Sequence, residues 1–226
     1  MKAAPFTFVC VALASALSLA GCGGLAYTVD RKLLGDLAIE HKLTLFEAEN
    51  EMFIAEDELE QLSRQAHEAR VAIQRAEAGI NESESDFERA QAKKDNAAAG
   101  LAQSAVAAQG KKIEYLDASL TLLSARLAMQ AILVSVADAR YELAKAKLVK
   151  RNNVRGAAEV MLEDFERQVD QYMEKAHARQ ADVDAAAKIA DAKKNDWRAA
   201  RQALSKASGG GLGSPWADDS LVWGSF

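Results

Sequence analysis

Residues 45–80 read LFEAENEMFIAEDELEQLSRQAHEARVAIQRAEAGI, and the spacing of their apolar side chains decides the fold. Alternate steps of three and four carry one row through Leu45, Ala48, Met52, Ala55, Leu59, Leu62, Ala66, Ala69, Ile73, Ala76 and Ile80. That is the heptad pattern of a helix buried along one seam, and sustained use of it imposes a left-handed supercoil. Extended back to Leu34 and on to Ala108, the row covers 22 positions, of which 18 are apolar. A half-apolar chain would place about eleven there at random.

A second row starts at Ile113 and passes through Leu116, Leu120, Leu123, Leu127, Gln130, Val134, Ala137, Tyr141, Ala144 and Leu148. The same frame runs on from Leu162 through Phe165, Val169, Tyr172, Ala176, Val183, Ala186, Ala190, Trp197 and Leu204 to Ala207. The two rows are separated by a step of five, from Ala108 to Ile113, with Gly110 in the gap. Glycine tolerates the left-handed conformation that ends helices. The simplest reading is therefore an all-α body: a long antiparallel coiled-coil hairpin, helices 28–108 and 111–207, folded at a turn near residue 110. At 1.5 Å per residue the helices would be roughly 120 and 145 Å long, with Thr28 or Asp30 as the first N-cap.

Segment 151–156, Arg-Asn-Asn-Val-Arg-Gly, is the weak point of the second helix. Its preserved frame favours a continuous helix. Its poor helix formers favour a turn, which would make an elongated three-helix bundle with a break at 151–156. Composition agrees with helix throughout. The only prolines are Pro5 and Pro215, and no alternating β-branched run is bounded by turn residues. Alternate seam positions of the first helix are mostly small (Ala48, Ala55, Ala69, Ala76, Ser83, Ala90), so backbones can approach closely but little area is buried per heptad.

The ends of the chain differ from its body. Lys2 precedes an uncharged run, Ala3 to Gly21, that is too short for a comfortable membrane span and has the layout of a secretory leader. It ends in Leu19-Ala20-Gly21-Cys22. This tetrapeptide resembles the lipobox of bacterial lipoproteins, over about the first tenth of the chain. The resemblance implies a signal peptide of residues 1–21, removal after Gly21, and lipid on the Cys22 thiol in a linker of residues 22–27. It implies three acyl chains, enough for stable anchorage where a single chain is marginal. It also implies the outer membrane, facing the periplasm, because Gly23 stands where the family's inner-membrane retention signal has aspartate. Without residues 1–21 the chain has 27 Lys and Arg against 33 Asp and Glu, a net charge of −6, which disfavours nucleic acid as a partner. Cys10 leaves with the leader, so no disulfide forms within one mature chain. At the other end, Ser208-Gly-Gly-Gly-Leu-Gly-Ser214 is a flexible linker to a tail containing Trp216, Trp223 and Phe226. Those aromatic residues are candidates for a membrane interface or a peptide groove.

No catalytic pattern is present: no nucleophile elbow, no His-Glu-x-x-His, no Cys-x-x-Cys, and no phosphate loop around the 209–213 glycines. The chain is expected not to be an enzyme and to need neither cofactor nor metal. On the hairpin reading His41 and His177 would face each other, but two imidazoles make a poor metal site. A further apolar stripe, Leu122, Ala125, Met129, Ile132, Val136, Ala139, Leu143 and Ala146, lies on a face beside the second row. A wider apolar face means more than one neighbour. That neighbour is either a third helix of the same chain, residues 157–207, or another molecule. Leu122, Met129, Ile132, Val136 and Leu143 are the candidate interaction residues. The functional expectation is an envelope lipoprotein with a coiled-coil body, a structural or adaptor element that meets other envelope proteins or itself through helical faces. The alternative is a periplasmic holdase gripping unfolded clients, against which the acidic charge counts.

Overall fold

A computed structural model describes residues 25–35 and 37–209 of the chain. Five α-helices follow one another: α1 (Arg31–Gly35), α2 (Ile39–Lys42), α3 (Phe46–Ala92), α4 (Asn96–Arg151) and α5 (Leu162–Ala207). Single 3₁₀ turns lie at Leu43–Leu45 and Ala157–Glu159, and there are no strands among the described residues. The fold is all-α. It follows the three-helix alternative rather than the two-helix hairpin.

The first reversal is at Lys93–Asp95, not at Gly110. Lys94 takes the left-handed conformation, φ 56°. Its N–H donates to the Gln91 carbonyl at 2.9 Å, and the Asp95 N–H donates to the Ala90 carbonyl at 3.0 Å. These two bonds are the Schellman termination, which satisfies the last carbonyls of α3. Asp95 then starts α4: its Oδ1 accepts from the N–H groups of Ala97 and Ala98 at 3.1 and 3.0 Å. One residue closes α3 and the next opens α4. Gly110 lies inside α4, and a Cβ built there would meet nothing within 4 Å. A single glycine costs a packed helix only about 0.5–1 kcal/mol, so it does not end α4.

The second reversal repeats the device. Asn153 has φ 48°, its N–H donates to the Lys150 carbonyl, and the Val154 N–H donates to the Val149 carbonyl. Gly156 follows at φ 93°. The heptad frame survives across this break, but the helix does not, because the backbone bonds and left-handed residues decide where a helix ends.

The described residues form two compact units: those up to 55 with 131–175, and 56–130 with those from 176 on. In the second unit Ala66, Ala69 and Leu123 form a buried centre, flanked by Leu62, Leu120 and Leu127. The Gln130 side chain donates to Glu58 Oε2 at 3.0 Å across the same seam. Sequence positions rise along α3 as they fall along α4, so the two are antiparallel. On the neighbouring face of α4, Tyr115 stacks on Trp197 of α5, with centroids 5.5 Å apart and planes within 6°. Beside them Glu114 Oε2 and Lys193 Nζ pair at 2.7 Å. The expected row on α3 is real: each of its positions from Leu45 to Ala90 is buried or half-buried. The N-terminal extension of that row is different. Residues 31–45 break into α1, α2 and a 3₁₀ turn, Asp30 caps α1 through the Lys32 N–H at 2.9 Å, and Ala38 and His41 are exposed.

In the first unit the core gathers Val29, Leu37, Leu45, Ala146, Leu148, Val149, Ala157 and Phe165. Here the segment before α3 returns onto α4 and α5 and covers a face that α3 leaves open. Lys147 pairs with Glu166 at 3.4 Å, and Arg140 pairs with Glu51 at 3.8 Å.

Candidate functional site

The segment just after the lipobox-like tetrapeptide is fastened at two places. Gln168 of α5, 3% exposed, grips the backbone of Tyr27. The Tyr27 N–H donates to Gln168 Oε1 at 2.9 Å, and Gln168 Nε2 donates to the Tyr27 carbonyl at 3.1 Å. A primary amide has one acceptor and one donor side, so it pairs with a peptide backbone as a neighbouring strand would. Two residues on, the Val29 N–H donates to Glu142 Oε2 of α4 at 2.8 Å. The other oxygen of Glu142 receives Lys145 Nζ at 2.6 Å, and that ammonium lies 3.9 Å from the Tyr141 ring centroid. The carboxylate is thus held by a cation on its own helix while it holds the strap. The Tyr27 ring tilts against Phe165 at 6.0 Å, Val29 is buried, and the Leu33 side chain rests over Gly156. α4 and α5 together therefore clamp Tyr27 and Val29, and Leu33 lies over the turn between the two helices.

The expected interaction stripe on α4 differs in burial along its length. Val136 is 3% exposed, and Leu143 packs against the core of the first unit. Ala139 and Ala146 are fully buried. Tyr115, one heptad before Leu122, carries the stripe's frame to the stack on Trp197. Val136 and Leu143 are therefore covered by their own chain, and in the second unit Tyr115 of the same frame meets α5. Leu122, Met129 and Ile132 are half-buried on the stripe. A central helix with a neighbour on each of two faces needs two apolar rows. Among the described residues, α4 is the one helix long and apolar enough to cross a membrane by length and composition. Cys22, Trp216, Trp223 and Phe226 lie outside the described residues. His41 and His177 are both exposed and belong to different units. No group of three or more metal-ligating side chains occurs among the described residues.

Sequence reasoning missed two features. The clamp residues Gln168 and Glu142 carry no pattern that marks them, since each is one polar residue among the other polar residues near it in sequence. The other is an exposed apolar row at Ile39, Leu43, Phe46 and Phe53, which does have heptad spacing but stands outside the seam frame. No protein-family model, curated protein or solved structure matches the chain.

Proposed function

We propose that the chain is a lipid-anchored coiled-coil protein of the bacterial envelope, acting as a structural or adaptor element and not as an enzyme. Cys22 would carry the lipid at the outer membrane, and the helical body would face the periplasm. The observation that carries this reading is a junction. The lipobox-like tetrapeptide ends five residues before Tyr27, whose backbone is gripped by Gln168. A tether attached at Cys22 would therefore pull on α4 and α5 rather than on a loose leader. Lipid at one end of a packed helical body suits a protein that holds a position and offers surfaces to partners. The exposed row on α2 and α3 gives the holdase alternative its one structural argument, as a surface for unfolded clients.

The test is Cys22→Ser in the full chain. The variant should accumulate unprocessed and lose the acyl mass. Mature-length protein that still stays with outer membranes through a high-salt wash would refute the anchor. Pull-down with the native chain separates the two roles. One abundant envelope partner is expected of an adaptor, and a broad set of unfolded proteins would replace that reading with the holdase.

A further inference from the structure

Among the described residues, seven of the nine large apolar side chains that remain exposed belong to the first unit. Five of them follow one another: Ile39, Leu43, Phe46, Phe53 and Ile54, each between 52% and 71% exposed. At 100° per residue Phe46, Asn50 and Phe53 stand together on one side of α3, and Leu43 precedes them in the 3₁₀ turn. The seam that α3 turns inward, Ala48, Met52, Ala55 and Leu59, stands on the opposite side. The start of α3 is thus apolar on two opposed faces, and among the described residues only the seam face is buried or half-buried. Single exposed apolar residues are ordinary, whereas five gathered within 39–54, interrupted on their face by Asn50, mark an interaction surface.

We propose that this row seats the first unit in the interfacial layer of a zwitterionic lipid bilayer, beside the anchored N-terminus. The proposal rests on the reading of Cys22 as the lipid carrier. Cys22 is three residues from Leu25, so at most about 10 Å of chain separates it from the start of the described structure. Tyr27 and Val29 are then clamped to the first unit, the one that bears the row. A bilayer held by lipid at Cys22 must lie against that unit. Phenylalanine and leucine on one helix face are the residues that interfacial helices bury at the boundary of headgroups and acyl chains. Glu47 is exposed beside the row and would be repelled by anionic headgroups, while the charge of Glu51 is met by Arg140, which points to zwitterionic lipid. A second copy of the chain is the poorer occupant. The row spans two heptads, short of the three or four that sustain a coiled coil.

The experiment uses the full, lipidated chain reconstituted into vesicles of phosphatidylcholine and phosphatidylethanolamine. An acylated Cys22 leaves the mature protein without a free thiol, so a nitroxide can be placed singly through Phe46→Cys, Phe53→Cys or, beside the row, Glu51→Cys. At 46 and 53 the label should collide more often with oxygen, which concentrates in lipid, than with a water-soluble nickel chelate. At 51 the order should reverse. Labels at 46 and 53 that are as open to nickel as the label at 51, on protein whose acyl mass is intact, would overturn the proposal. So would protection from both reagents with spin–spin broadening, the signature of a second copy over the row. An unacylated Cys22, seen by peptide mass, refutes the anchor reading and the proposal with it. That failure is told apart from the other two by the mass alone.

Discussion

Replacing Gln168 with methionine tests whether the clamp on the N-terminal segment is held by its amide. Methionine keeps the length and nearly the volume of glutamine, so packing in a site that is 3% exposed is disturbed little. What is lost is the pair of bonds to the Tyr27 backbone, at 2.9 and 3.1 Å. A neutral hydrogen bond contributes about 1 kcal/mol net, which sets the pair at about 2 kcal/mol. Tyr27 itself is 40% exposed, so water can take over part of its bonding, and about 1 kcal/mol is the lower bound. The segment opens locally, so the loss belongs in hydrogen exchange rather than in global melting. Protection of the Tyr27 amide should fall by roughly 5- to 30-fold, the ratio equivalent to that energy. The Val29 amide, still bonded to Glu142, should fall less, and Val149 in the core should not change. Unchanged exchange at Tyr27 in the Gln168→Met protein would show that apolar packing of Tyr27 and Val29 holds the segment, and the amide argument would be wrong.

Gly156→Ala should destabilise by roughly 1–2 kcal/mol, because φ is 93° and the new Cβ would stand 3.2 Å from Leu33 Cδ2. The control Gly110→Ala, in open helical surroundings, should stabilise by about 0.5–1 kcal/mol in the same denaturant titration. Val136→Glu places an unpaired charge in a closed site and should lower the melting temperature of the protein sharply while leaving its oligomeric mass unaltered. A changed mass with an unchanged melting temperature would restore the intermolecular role of that stripe. The Glu114–Lys193 pair predicts a pH dependence. Hydrogen bonds from Lys111 first and Lys193 second hold the Glu114 carboxyl below its ordinary 4.5, against the opposing effect of burial. Its contribution is full above that value and is lost as the pH falls through the lowered one. Lys193 is raised above its ordinary 10.5, chiefly by its hydrogen bond to Glu114, so its contribution is full below 10.5 and is lost as the pH rises through the raised value. Both side chains are more than a third exposed, so the effect is screened and small. Glu114→Gln should flatten both limbs of melting temperature against pH, and equal slopes in the two proteins would refute the assignment.

Periodicity was the legible part of this chain. The row from Leu45 to Ala90 and its successors from Leu116 to Leu148 and Leu162 to Leu204 are the buried faces of α3, α4 and α5. Burial along a helix needs only a 3.6-residue repeat, and sequence records that repeat directly. The extra stripe on α4 is legible for the same reason, since a second apolar row calls for a second neighbour. The ends of the helices were not legible in the same way. The obvious glycine, Gly110, sits inside a helix, while the turn uses Lys94 in a conformation usually left to glycine, with Asp95 as the next cap. At 151–156 the frame argued for continuity across a break that Asn153 and Gly156 make.

Residues 45–207 by themselves thus determined an all-helical body, its seams and the lack of strand pattern, because each follows from local spacing. Which residues reverse the chain was decided by tertiary structure, since a helix ends where its last carbonyls find partners and the next helix finds a cap. The strap was decided there as well. Gln168 and Tyr27 are 141 residues apart, and only the folding of α5 against α4 brings an amide to that stretch of backbone. The exposed row on α3 needed both: its spacing is written in the sequence, but only the packed core shows which of two apolar faces stays exposed among the described residues.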